Sequence, residues 1–199
     1  VAFIGSTGSG KSTLINLVPR FYDATEGVVL VDGIDVKEYK EEFLHNKIGY
    51  IPQKAVMFTG TVYDNVSYGD NGKNKIELNK VKEAVKIAQG KDFVEKMDDK
   101  YDAHIARGGT NVSGGQKQRL AIARAILKRP EIYIFDDSFS ALDYKTDSKV
   151  RKALKEVTKE STIIIVTQRV STILHADEII VLEDGKIVGK GTHEELIKS

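Results

Sequence analysis

The stretch Gly5-Ser6-Thr7-Gly8-Ser9-Gly10-Lys11-Ser12 constrains this chain more than any other. It satisfies G-x-x-x-x-G-K-[ST] at every fixed position. Before it, Val1 to Ile4 reads as a buried strand; after it, Ser12 to Val18 reads as a helix with Pro19 near its end. A glycine-rich turn between strand and helix lets the backbone fold so that successive N–H groups point inward, as phosphate oxygens require. The helix that follows adds its positive end. Ser6, Thr7, Gly8, Ser9, Gly10, Lys11, Ser12 and Thr13 are therefore the expected cradle of a nucleotide. In it Lys11 reaches the β- and γ-phosphates and the Ser12 hydroxyl ligates Mg²⁺. A glycine turn that binds nothing would not need this context on both sides.

A strand that delivers carboxylates gives a second constraint. Ile132-Tyr133-Ile134-Phe135 reads as a buried strand and ends in Asp136-Asp137. Open α/β sheets place their chemistry at such carboxyl ends. Asp136 is expected to hold Mg²⁺ through water, and Asp137 to orient or deprotonate an attacking water. The alternative, that the acids only cap a strand end, is more open for Asp137 than for Asp136. Asn111-Val112-Ser113-Gly114-Gly115-Gln116 forms a third feature, preceding a helix from Ser113 to Leu127 that Lys128-Arg129-Pro130 stops. Ser113 is a plausible N-cap and the glycines expose N–H groups, so this is a second phosphate-ready turn. On residue chemistry alone, a capped surface helix explains it equally well.

The remaining pattern alternates strands with helices. Val28 to Val31, Asp32-Gly33, then Ile34 to Val36 read as a hairpin with an Asp-Gly turn, and Ile179 to Leu182, Asp184-Gly185, Ile187-Val188 as another. Lys47 to Ile51 reads as a strand, residues 69–75 as a polar loop, and 76–98 as one amphipathic helix. Lys145 to Val157 reads as a helix, Thr162 to Val166 as a strand, and Thr192 with Glu195 as a capping box for a last short helix. The expected fold is α/β: a P-loop NTPase with a mostly parallel central sheet, a small antiparallel β part and a helical subdomain. A net charge of +1 offers no field for nucleic acid, and the lack of cysteine removes disulfides and thiolate metal sites. No apolar run approaches the ~18 residues of a membrane span. The opening Val1-Ala2-Phe3-Ile4, without Met, reads as an entry in mid-strand and hence as an N-terminally truncated fragment of a longer chain.

These features occur together in one family. Val112-Ser113-Gly114-Gly115-Gln116 resembles the signature motif of the ABC ATPases and lies, as theirs does, between the P-loop and the carboxylate strand. Gln53, after Tyr50-Ile51-Pro52, resembles the Q-loop glutamine, and Ser140-Ala141-Leu142-Asp143 the D-loop. Met57 to Val66 resembles the exporter branch, where this stretch meets the membrane domain. The resemblance covers essentially all of residues 1–199 and implies an ABC-type ATP-binding domain, with its helical signature subdomain at roughly 54–127. It further implies ATP and Mg²⁺ as cofactors, with Ser12, Gln53 and Asp136 around the metal and Gln53, Asp137 and Gln168 around the reaction. Ser113, Gly114, Gly115 and Gln116 would close on ATP held by a second such domain. The implied partners are that second nucleotide-binding domain and a transmembrane domain, and the implied location is the cytoplasmic face of the cell membrane.

Three departures from the family pattern carry weight. Asp137 stands where Glu is usual, and Gln168, after Ile165-Val166-Thr167, where His is usual. Ala106-Arg107-Gly108-Gly109 replaces a stretch that usually contains Glu. Aspartate is one methylene shorter than glutamate, and a misplacement of about 1 Å at a reacting centre costs on the order of 10² in rate. The pattern resembles the impaired subunit of a heterodimeric exporter: slow at its own site, with an intact signature for its partner. A chromosome-type ABC ATPase would place a long coiled coil between Lys11 and Ser113, and no heptad array lies there. A P-loop kinase would not explain the signature. A module that holds ATP without turnover remains open. His45, His104, His175 and His193 lack a spaced partner for metal binding, and Phe21 and Tyr22 read as packing residues.

Overall fold

The structure, a computed structural model, describes residues 1–68 and 75–198; the expected polar loop at 69–75 falls almost entirely outside them. The described residues divide into two compact units, 1–50 with 131–137 and 162–198, and 51–68 with 75–130 and 138–161.

The first unit is built on a parallel sheet. Its strands are β1 (Ala2–Ile4), β4 (Ile48–Ile51), β7 (Ile132–Asp136), β8 (Thr162–Thr167), β9 (Ile179–Glu183) and β10 (Lys186–Gly191). Their spatial order is β10-β9-β1-β8-β7-β4. Strands β7, β8, β1 and β9 run parallel, and β10 folds back antiparallel on β9. Thus β1, the first strand in sequence, lies between two strands from the far end of the chain. The apolar runs read as strands are long enough for this and bounded by glycine or polar turns. In the β9–β10 turn Asp184 and Gly185 both have positive φ, 46° and 76°, as a tight two-residue hairpin demands. The small hairpin of β2 (Leu30–Val31) and β3 (Ile34–Asp35) turns in the same way at Asp32-Gly33.

One core cluster gathers Ile15, Val31, Val36, Leu44, Ile48, Ile134 and Val166; another gathers Ala2, Ile173 and Ile179. The helix after the phosphate loop, α1, is regular only over Lys11–Ile15 and then tightens into turns, so it is shorter than the expected Ser12 to Val18. Lys47 belongs to a helix, α2 (Glu41–Lys47), and not to β4. The helix contributes only Leu44 to the core, too weak a stripe to stand out in sequence. The last helix, α9 (His193–Lys198), follows the expected box: the Thr192 N–H donates to Glu195 Oε2 (2.7 Å) and the Glu195 N–H to Thr192 Oγ1 (3.4 Å).

The second unit is helical apart from the two-stranded pair of β5 (Gly60–Thr61) and β6 (His104–Ile105). Helix α6 (Gly114–Lys128) packs against α3 (Val62–Ser67) and α4 (Leu78–Ile87), burying Leu120, Ile122, Ala123 and Ile126. It ends where expected: Arg129 takes φ 49° and Pro130 follows. The segment expected as one helix over 76–98 is two, α4 and α5 (Lys91–Val94). The break is Gln89, at φ 59°, followed by Gly90. Arg119 holds it: Nη1 donates to the Gln89 carbonyl (2.8 Å) while the guanidinium lies over the Phe93 ring. Burial pulls the Arg119 pKa down. The unit also contains α7 (Tyr144–Val157), whose N-cap Asp143 accepts from the Thr146 N–H (2.9 Å). Among the described residues no helix is long and apolar enough to cross a membrane.

Candidate functional site

The parallel register assembles the site. Ile4 of β1 is level with Thr167 of β8, and Val166 of β8 with Asp136 of β7. The residues that follow these strand ends, the glycine loop from Gly5, Asp137 and Gln168, therefore emerge along one edge of the sheet, the edge at which α/β sheets bind ligands.

The loop owes its shape to backbone freedom and close packing. Gly8 and Gly10 take φ of 84° and 94°, conformations that L side chains rarely adopt. A Cβ on Gly5 would run into the Leu182 carbonyl and Ser9 Oγ. The Gly185 N–H donates to the Ser9 carbonyl (3.1 Å), so the β9–β10 turn braces the loop from behind. Lys11 is only 7% exposed, and its ammonium donates to Gly5 O (2.9 Å), Ser6 O (2.7 Å) and Ser9 Oγ (3.1 Å). The result is a buried positive charge at the centre of a turn whose outer residues, Ser6, Thr7 and Gly8, face solvent. Helix α1, whose end the sequence suggested as a further positive pole, is only five residues long. Thr13 sits on α1, exposed.

Ser12 Oγ donates to Asp136 Oδ1 (2.8 Å), joining the loop to the end of β7. Asp136 is 8% exposed, and its other oxygen accepts from the Tyr50 phenol (3.0 Å). The Tyr50 oxygen also lies 2.9 Å from the Asn16 side-chain amide. Burial, then the charge and hydrogen bond of Asp136, push the Tyr50 pKa well above that of an ordinary phenol. Neither Tyr50 nor Asn16 stood out in the sequence. Tyr50 reads there as one more residue of a strand, and its polar end was the only signal. Asp137 takes φ 46°, and its N–H donates to the Val166 carbonyl (2.8 Å). Gln168 Nε2 donates to Thr7 Oγ1 (3.2 Å), so the amide reaches the phosphate loop.

In the second unit Ser113 caps α6. Gln116 N–H donates to Ser113 Oγ (3.2 Å) and Ser113 N–H to Gln116 Oε1 (2.8 Å). Ser113 and Gly114 are exposed, and a Cβ on Gly114 would meet nothing. Gly115 is tighter, with the Ala141 carbonyl 3.3 Å from an added Cβ. Gln53 lies exposed on the bend after β4, and the Pro52 carbonyl before it accepts from Gln118 Nε2 (3.0 Å). Gln118, 1% exposed on α6, is another residue the sequence did not single out. Arg124 of α6 donates to the carbonyls of Asn65 (2.8 Å) and Val56 (3.2 Å) and lies over the Phe58 ring. Burial pulls its pKa down to about 10.

Among the described residues no His, Cys, Asp and Glu cluster could hold a metal by itself. His45 Nε2 lies 2.8 Å from the Pro19 carbonyl, in a packing role. Phe21 packs edge-on against His45 and Tyr50, but Tyr22 is 63% exposed and does not fill the packing role expected of it.

Comparison with known proteins agrees with this geometry. The ABC transporter family profile matches residues 1–140. An uncharacterised ABC transporter ATP-binding protein of Mycobacterium tuberculosis is 53% identical over 98% of the chain and 33% of its own length. A putative multidrug export ATP-binding/permease protein of Staphylococcus aureus is 46% identical over 99% of the chain and 34% of its own length. The solved structure of a bacterial Atm1-family ABC exporter with ATP bound superposes with a TM-score of 0.93 at 36% identity, over 99% of the chain and 34% of that protein. The chain thus spans about a third of the length of these relatives. It belongs to the ABC transporter family and is similar throughout to the ATP-binding domain of exporter-type members.

Proposed function

We propose that this chain is the ATP-binding and ATP-hydrolysing motor domain of an exporter, with low turnover at its own site. The observation that carries the reading is the strand-edge assembly: the Lys11 loop, the Ser12–Asp136 hydrogen bond and the Gln168–Thr7 hydrogen bond. Residues 1–199 act as one ABC-type ATP-binding domain, with a helical subdomain at roughly 54–127. Ser6 to Thr13 cradle the phosphates, and Lys11 exchanges bonds to its own loop for bonds to phosphate oxygens.

Ser12 Oγ and Asp136, oxygen donors side by side on a buried strand end, fit a small hard cation such as Mg²⁺, with Gln53 as a further ligand. Bound there, Mg²⁺ neutralises charge on the transferring phosphate. Asp137 orients or deprotonates the attacking water. Its shorter side chain retards this step, and Gln168 donates a hydrogen bond but cannot become charged. Ser113, Gly114, Gly115 and Gln116 complete the ATP site of a second domain, in a different subunit. A transmembrane domain on the same polypeptide receives the movement at the cytoplasmic face of the membrane. The similarity to exporter relatives over 99% of the chain supports this assignment.

The test measures Mg-ATP binding and steady-state hydrolysis on one sample, with Lys11→Ala as blank and Asp137→Glu/Gln168→His alongside. Tight binding with hydrolysis near the blank, and a gain on the order of 10² in the double variant, is the expected outcome. Robust hydrolysis by the unmodified chain would replace the low-turnover reading with that of an ordinary motor. No gain in the double variant, in a paired assembly, would count against Asp137 and Gln168 as the cause.

A further inference from the structure

We infer that Tyr50 is the positioning residue that fixes the Asp136 carboxylate for the metal; this rests on the Mg-ATP reading above. Asp136 Oδ1 is tied to Ser12 Oγ at 2.8 Å, and Oδ2 to the Tyr50 hydroxyl at 3.0 Å. The two bonds differ in what nucleotide loading does to them. In the proposed role, Ser12 Oγ and Asp136 would both serve the cation, and the bond between them would be given up. The phenol has no such second task, so its bond alone then holds the carboxylate against rotation.

Tyr50 is built to be a dependable donor. A phenol has one proton, and of its two neighbours the carboxylate is the stronger acceptor. Its proton faces two acceptors, Asp136 Oδ2 at 3.0 Å and the Asn16 amide oxygen at 2.9 Å, and the charged carboxylate draws it. Phe21 packs edge-on against the Tyr50 ring at 5.5 Å, fixing its plane. Groups that orient a metal's ligands commonly matter 10–100-fold for metal affinity.

The experiment compares the unmodified chain with Tyr50→Phe, Asn16→Ala and Asp136→Asn. ATP affinity is measured by calorimetry in EDTA. Mn²⁺ affinity of the ATP-loaded chain is measured by water-proton relaxation, which reports metal held in the slowly tumbling complex. Tyr50→Phe is expected to keep its EDTA affinity while half-saturation by Mn²⁺ rises ~10-fold. Asn16→Ala removes the competing acceptor and should leave Mn²⁺ affinity intact or tighter, and Asp136→Asn should abolish the signal. Unchanged Mn²⁺ affinity in Tyr50→Phe overturns the inference while leaving the ATP reading intact. Parallel loss of EDTA affinity and Mn²⁺ affinity assigns Tyr50 a merely structural role and also overturns it. If the unmodified chain gives no Mn²⁺-ATP signal, the Mg-ATP reading itself falls.

Discussion

The glycine loop before α1 and the glycine turn before α6 both present backbone N–H groups, by opposite means. In the loop, Gly8 and Gly10 take positive φ and Lys11 buries a cation at the centre. In the turn, Gly114 and Gly115 are ordinary first-turn residues of a fifteen-residue helix. There the side chains of Ser113 and Gln116 satisfy each other, and the ammonium of Lys117 donates to the Gly108 carbonyl (3.1 Å). The loop thus carries charge and geometry together, whereas the turn supplies a capped helix end and an open glycine. A self-contained binding element can be tested on this chain alone. The turn, in the proposed role, is tested by what a second domain gains from it.

The largest break in that comparison is Lys11→Ala. Removing a buried, hydrogen-bonded charge from a phosphate site costs ~2–5 kcal/mol, so ATP affinity measured by calorimetry should fall by at least about 30-fold. Next is Gly5→Ala, where the new methyl meets the Leu182 carbonyl and Ser9. Overpacking of this kind costs ~1–3 kcal/mol, visible as a lower urea midpoint. The contrast is Gly114→Ala, whose methyl meets nothing and should leave the midpoint nearly unchanged. Between these two falls Ser113→Ala: loss of the cap should lower stability by ~1 kcal/mol in the same assay and leave this chain's own ATP affinity intact. A fall in ATP affinity there would show that the two elements are not independent.

The same contrast explains what was legible in the sequence. The phosphate loop, both Asp-Gly hairpins, the Ser113 cap and the β7 carboxylates are local: turn chemistry and spacing dictate them within a few residues. Helix α3 has a local signal as well, a Thr61/Asp64 capping box, but it is only six residues long and was read for its family likeness. Helix α2 has no side-chain cap and one buried residue, so little marks it. The break at Gln89 depends on Arg119, thirty positions away, and amphipathic spacing on either side hides it. Tyr50 and Asn16 escaped for the same reason. Asp136 lies 86 positions from Tyr50, and only the pairing of strands brings such residues to one carboxylate.

The place of β1 between β8 and β9 has a consequence in time. A ribosome makes residues 1–12 well before the strands that flank β1, which begin at residues 162 and 179, and before the turn that braces Ser9, which ends at Gly185. While the chain is growing, the glycine loop is a tether without a mount. Contacts between such distant segments close late and slowly. The capacity to grip phosphate is therefore gained only after β8 and β9 have been made, not when the motif itself is. A chain cut short before β9 would carry the whole motif and still lack the framework that gives it shape.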